Sequence, residues 1–594
     1  MNLTFRRVAV FTSLVAIAAA QRAAAPDDVM LRVMKDEIDR SRQLRVVGLD
    51  ERPYFIEYAI EDVDSYAVSA MLGALLNSSR NHGRVPQVTV RAGDYAFDDT
   101  NHVFTGRYSG SRYDPDQWPI DDNYAALRHN FWLATDRAYK TALESMARKR
   151  ASLRNAASPD KTPDFAKAEP TVLILPVNKT PIDESIWKKR AIDFSTIFLG
   201  YPEIYTSSVD ASVFVGTAYL VNSEGSVQRT PDTLVQLRAQ AQTQAADGMP
   251  IHDARVFQSD AVNGLASEAE LRKGITEVAD NIRALVKAPA GEGYSGPVLF
   301  EGKAAGQLMA QLLGENLKLT RRPVSDPGRP AQSMQSELES KVGSRILPDW
   351  INVADDPTQT QFRGEKLIGT YPFDMEGIKP KPLAVVEKGV LKEFLLTRQP
   401  VNTYAASNGR ARLMGNYGAH TAAISNLFIS ATETKPLADL KKQLIDLCKQ
   451  RNKPYGMLVR KLDYPSSASV ADLQSIIGGA MRNGTARPIT PPILVYKVYP
   501  DGREELVRGL HFRGLNARSM RDIVAASAET SVFHFLNNGA PFAFLGLGGF
   551  LAPASVVSPS LLFEEVEFEK PQDELSKPPL VAPPPIESAA AKSR

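Results

Sequence analysis

Two short acidic groups, Asp355-Asp356-Pro357-Thr358 and Asp374-Met375-Glu376-Gly377, have the spacing that acid–base catalysis or a contact to Ca²⁺ or Mg²⁺ would use. Asp-Pro and Glu-Gly are also ordinary turn pairs, so on residue chemistry alone the structural reading comes first. Ser185-Ile186-Trp187-Lys188 fits Ser-x-x-Lys, a spacing that arises by chance in a chain this long and has no supporting motif here. The sequence has no phosphate-binding loop, no GxGxxG after a strand and no GxSxG elbow. The seven histidines (82, 102, 129, 252, 420, 511 and 534) include no pair at i+3, i+4 or i+5, so no helix offers two of them to a metal. Each reads as a surface or satisfied core residue. The single cysteine, Cys448, cannot form an intramolecular disulfide or a cysteine-built zinc or iron–sulfur site.

The elements that must position these groups are partly legible. Residues 26–120 mix short strand-like and helical patterns, interrupted by polar turn clusters such as Asn77-Ser78-Ser79. Leu127, Phe131, Ala134, Ala138, Ala142 and Met146 recur at helical steps and predict a helix over 123–153 with a basic, solvated end at Arg148-Lys149-Arg150. Residues 154–170 read as a linker, and Thr171 to Val177 as a buried strand. Residues 209–221, the turn at Asn222-Ser223-Glu224-Gly225 and the run from Val227 predict a hairpin. Ser267-Glu268-Ala269-Glu270 is a capping box that opens a helix ending before Pro289. Short strands dominate from 297 to 569, apart from a helix over 436–451 whose apolar face takes in Cys448. Val566 and Phe568 alternate with Glu565, Glu567 and Glu569, as an edge or half-exposed strand would. The Pro- and Ala-rich segment 570–594 reads as disordered.

The N-terminal segment has the pattern of a secretory signal. Arg6 and Arg7 precede an uncharged apolar run, and Ala18-Ala19-Ala20 offers small residues at a cleavage site. The mature chain is therefore expected in the periplasm or secreted, with no membrane span after cleavage. Of 594 residues, 70 are Lys or Arg and 68 are Asp or Glu. Loss of two arginines with residues 1–20 leaves the charges balanced, so the basic excess is a targeting feature. It does not point to nucleic acid.

Four pieces taken together resemble the TldD/PmbA family, whose members are metallopeptidase-related and were once called modulators of DNA gyrase. They are Gly296-Pro297-Val298-Leu299-Phe300, the two acidic groups, and Glu387-Lys388-Gly389-Val390-Leu391-Lys392-Glu393-Phe394. The likeness continues through Arg412-Leu413-Met414-Gly415-Asn416 and closes with Pro559-Ser560-Leu561-Leu562-Phe563-Glu564-Glu565-Val566-Glu567. It covers 200–569 well and 26–200 poorly. It implies an α+β fold: an N-terminal α+β domain over 26–200, a middle region over 201–289 and a β-rich C-terminal domain over 292–569. It also implies homodimers or heterodimers around an enclosed cavity.

In active relatives, a helix after the Pro-Val-Leu-like strand carries His-Glu-x-x-x-His for zinc, and a late cysteine adds a ligand. The matching positions here are Glu301, Gly302 and Gly306, and Phe544-Leu545-Gly546-Leu547-Gly548-Gly549 contains no cysteine. The resemblance therefore implies a PmbA-like, metal-free pseudoenzyme with no cofactor, paired with a metal-bearing TldD-like subunit in proteolysis or peptide maturation. Two alternatives stand beside it. One is an active peptidase in which the cavity carboxylates Asp355, Asp356, Asp374 and Glu376 hold another metal or activate water. The other is a non-enzymatic envelope protein that binds a peptide.

Overall fold

Long alternating runs in the first half of the chain build one sheet, and shorter apolar strands in the second half build another. The computed structural model describes residues 28–570, apart from 46–50, 104–110, 114–117, 155–160, 326–334, 416–417, 464–488 and 539–550, and a few isolated positions beyond 570. The signal segment, Asn416, residues 544–549 and most of the tail lie outside the described residues.

The first sheet has seven strands: β1 (Pro53–Met71), β2 (Ala74–Ala92), β3 (Ser111–Tyr113), β4 (Val172–Ile174), β5 (Thr206–Asn222), β6 (Val227–Gln244) and β7 (Pro250–Ser259), in the order β3-β2-β1-β5-β6-β4, with β7 also on β6. Strands β1 and β2 form one long hairpin. Its reversal is Leu72-Gly73, with φ of 50° and 82°, the paired positive angles a two-residue hairpin turn needs. The polar cluster Asn77-Ser78-Ser79 is not a turn. It lies inside β2 opposite Ser69, Val68 and Ala67, on a solvent-exposed stretch where polar side chains cost nothing. The predicted hairpin closes with Val221 opposite Val227. Strand β1 also pairs with β5, so one sheet draws on sequence from both sides of residue 200.

Helices α1 (Val29–Ser41) and α2 (Tyr124–Leu153) cover one part of this sheet through Met34, Phe131, Tyr58 and Ile60. Helices α3 (Glu184–Ser195) and α4 (Glu268–Lys287) cover another through Trp187, Phe194, Ile275 and Ile282. Helix α4 has its reciprocal Ser267–Glu270 cap. Helix α2 corrects one expectation. Arg148 and Arg150 are exposed, but Lys149 is buried: its ammonium donates to Asp164 Oδ2 at 2.5 Å and to the carbonyls of Asp98 and Thr100. The strand at 171–177 is another correction. Only Val172–Ile174 is a strand, parallel to β6 at the sheet edge, and Val172 is 67% exposed.

The second sheet has eleven strands: β8 (Tyr294–Phe300), β9 (Ile351–Asp355), β10 (Leu383–Glu387), β11 (Val390–Leu391), β12 (Asn426–Ala431), β13 (Gly456–Leu462), β14 (Pro492–Val498), β15 (Glu504–Val507), β16 (His511–Arg513), β17 (Ile523–Asn538) and β18 (Leu551–Glu569). Its order is β11-β10-β9-β12-β18-β8-β13-β14-β15, with β16 and β17 also on β18. The closing strand β18 is thus central. At its end Val566 and Phe568 are buried while Glu565 and Glu567 are exposed. Helix α6 (Leu437–Gln450) places Cys448 in a core with Leu440, Leu444 and Leu562. Helix α5 (Lys303–Leu312) is buried from Ala304 onward. The core also takes in two of its glutamines, and each is satisfied: Gln307 by the backbone of Leu462, Gln311 by Thr490. The Gln307 bonds fix how α5 sits against β13. The fold is α+β with a β-rich C-terminal part.

Candidate functional site

The apolar strand β8 ends with Phe300 in the core, and the chain turns at once into α5. Gly302 makes this turn with φ 61°, and its N–H donates to Ser560 Oγ at 2.9 Å. The Glu301 carboxylate accepts from Arg460 Nε at 3.0 Å and lies 3.5 Å from Lys441 Nζ; both cations also hold Glu504. Gly306 packs against β17, where an added Cβ would stand 3.1 Å from Phe533 Cβ. The three positions therefore supply one carboxylate already held by two cations and two residues with no donor atom. Zinc needs about three protein ligands, and this set does not fit it. Among the described residues no group of three or more His, Cys, Asp or Glu is placed to hold a metal ion. Gly306→His should destabilise the protein by about 1–3 kcal/mol through overpacking against Phe533, read as a lowered urea midpoint.

The start of α5 opens on a cavity of ≈ 920 Å³ between the two sheets. Strand β7 and helix α4 contribute Arg255 and Lys273, the second sheet and its connections Glu301, Glu365 and His534, and α5 Lys303. His534 Nε2 lies 3.2 Å from Glu365, and its Nδ1 is 2.9 Å from Ser555 Oγ.

None of the four acidic residues singled out in the sequence lines this cavity. Asp355 is fully buried, pairs with Arg410 at 2.6 Å and accepts from Ser425 N and Oγ. Asp356 accepts from Thr358 N and Oγ1 in a local turn. Asp374 accepts the backbone N–H groups of Glu376, Ile378 and Ala411, and borders a smaller hollow of ≈ 160 Å³. Glu376 faces His420 Nδ1 at 3.1 Å and accepts from Arg398 N at 2.6 Å.

This last group is a buried cluster that joins the first sheet to segments connecting strands of the second. Gln87 of β2 meets His420 Nε2, and Glu57 of β1 lies near, held by Asn222. Burial pushes Glu57 up to about 7. Burial, then the Glu376 charge, does the same to Asp374. Burial works against both members of the Glu376–His420 pair. The pairing wins, lowering the Glu376 pKa and raising that of His420. Glu57, His420, Lys303 and Arg255 carry no local sequence signal; only the fold brings them together.

The model of the PmbA/TldA metallopeptidase C-terminal domain matches residues 293–461, which include the start of α5. A metalloprotease of Archaeoglobus fulgidus is 32% identical over 78 residues, 13% of this chain and 17% of that protein. The metalloprotease PmbA homolog of Haemophilus influenzae is 27% identical over 109 residues, 18% of this chain and 21% of that one. The chain thus spans about a fifth or less of the length of these relatives. The crystal structure of TldE from Thermococcus kodakarensis shares the fold with a TM-score of 0.52 and 14% identity, over 90% of this chain and 100% of that one.

Proposed function

The chain belongs to the TldD/PmbA family, and from that premise we propose that it is an exported, metal-free member that serves proteolysis or peptide maturation as partner or scaffold of a metal-bearing TldD-like subunit. One observation carries the reading. Where active relatives are expected to hold zinc, Glu301 is neutralised by Arg460 and Lys441, and Gly302 and Gly306 offer no ligand. The buried Asp355–Arg410 pair and the turn-forming Asp356 weigh against a substitute carboxylate site. In this role the cavity holds a peptide while the partner subunit supplies the chemistry, within a dimer. Export follows from the signal-like N-terminus, and the balanced charge of the mature chain gives no attraction for nucleic acid.

The test uses the purified mature chain and oxidised insulin B chain as probe. The chain alone should bind the probe and leave it intact by mass spectrometry, with or without chelator. Adding a metal-bearing TldD-like subunit should produce cleavage. Chelator-sensitive cleavage by the chain alone would contradict the proposal.

A further inference from the structure

Most charged groups on the ≈ 920 Å³ cavity are already matched. Glu301 is held by Arg460 and Lys441, Glu365 by His534, Asp260 by Lys366, and Glu270 by its cap with Ser267. Lys461 reaches Asp253 and the carbonyl of Ala254. Among the described residues, Lys303 and Arg255 have no ion pair, and both line this cavity. Lys273 and Glu277 also line the cavity unpaired, four residues apart on the exposed side of α4.

We propose that Lys303 and Arg255 form a carboxylate-binding site in this cavity, which takes the free C-terminal carboxylate of a bound peptide. The inference rests on the peptide-holding role proposed above. Lys303 is the first residue of α5, with its side chain in the cavity, and Arg255 comes from the facing strand β7 beside the Phe257 ring. Two unpaired cations on the walls of one cavity suit the two oxygens of a carboxylate, and charge-assisted bonds of this kind are the stronger ones. Desolvation, then the Arg255 charge, lowers the pKa of Lys303; Glu365 and Glu277 oppose this without pairing with it. A bound carboxylate would relieve that repulsion. Phe257 and Phe533 supply apolar wall for the terminal side chain.

The test is fluorescence anisotropy with three labelled probes: hexa-alanine with a free C-terminus, its C-terminal amide, and the amide carrying one internal glutamate. The wild-type chain should bind the free acid about tenfold more tightly than the plain amide. K303Q and R255Q should each abolish that preference. K303R should keep it, and so should K366Q, which removes a paired cation from the same wall. Circular dichroism melting shows that each variant is folded. Equal binding of acid and plain amide overturns the site while leaving peptide holding intact, and so does a preference that survives K303Q. Tighter binding of the glutamate amide than of the free acid reassigns the site to acidic side chains and overturns the terminal reading. Failure of all three probes to bind overturns this site and the peptide-holding role together.

Discussion

Arg410→Met should lower the stability of the protein by about 3–5 kcal/mol, because it leaves a buried carboxylate without its counter-charge. Both Arg410 and Asp355 have no exposed side-chain surface. The guanidinium donates to Asp355 Oδ1 at 2.6 Å and to the carbonyls of Asp355, Lys381 and Asn408, while Ser425 donates its N–H and hydroxyl to the same carboxylate. The pair therefore ties β9, the start of β12 and two connecting segments together. Asp355→Leu combined with Arg410→Met should recover much of the loss, since replacing a buried pair whole is far cheaper than breaking it. Urea unfolding of the single and double variants measures this. Asp355→Asn separates structure from catalysis. A structural Asp355 predicts a lowered urea midpoint. A catalytic one predicts lost peptide turnover at an unchanged midpoint.

Raising the pH from about 5 to 8 should cost stability on the order of 2–3 kcal/mol for each buried carboxyl held near 7, among them two in the cluster around His420. Glu57 and Asp374 have folded-state pKa values of about 7, above those of free carboxyls. The folded state thus binds their protons more tightly than the unfolded chain, and this advantage is lost as pH rises through 7. His420 is also raised, so its contribution is full below its ordinary value and fades as pH climbs through the folded one. Glu376 is lowered and acts the other way, losing its contribution only in more acidic solution. Glu61 and Asp99, pushed to about 7 mainly by burial, add to the same slope. Glu57→Gln keeps the shape and the Asn222 contact but cannot ionise, so its melting temperature should fall less between pH 5 and 8. Equal slopes for wild type and variant would remove Glu57 from the account.

The parts of the fold legible in the sequence are those whose signals are local. The capping box at Ser267, the turn between Val221 and Val227, the face of α2 and the burial of Cys448 each follow from residues within a few positions of one another. The polar residues at 77–79 mislead because a strand exposed on both sides tolerates them, while the true reversal needs only Gly73 and one strained neighbour. Lys149 misleads because its partner, Asp164, lies beyond the end of the helix. The acidic groups at 355 and 374 are conspicuous in the sequence, yet the fold uses them to anchor backbone and balance arginine. The cavity charges and the His420 cluster are illegible for a different reason. Glu57 and Glu376, or Arg255 and Lys303, meet only because the first sheet packs on the second.

Zinc analysis of the purified protein checks whether this TldD/PmbA-type chain carries a catalytic metal of its own. Inductively coupled plasma mass spectrometry should find far less than one zinc per chain after desalting, even when the protein is prepared in zinc-supplemented medium. One tightly held zinc per chain, surviving desalting and lost only to a strong chelator, would show that the chain has a metal site of its own and overturn the metal-free role.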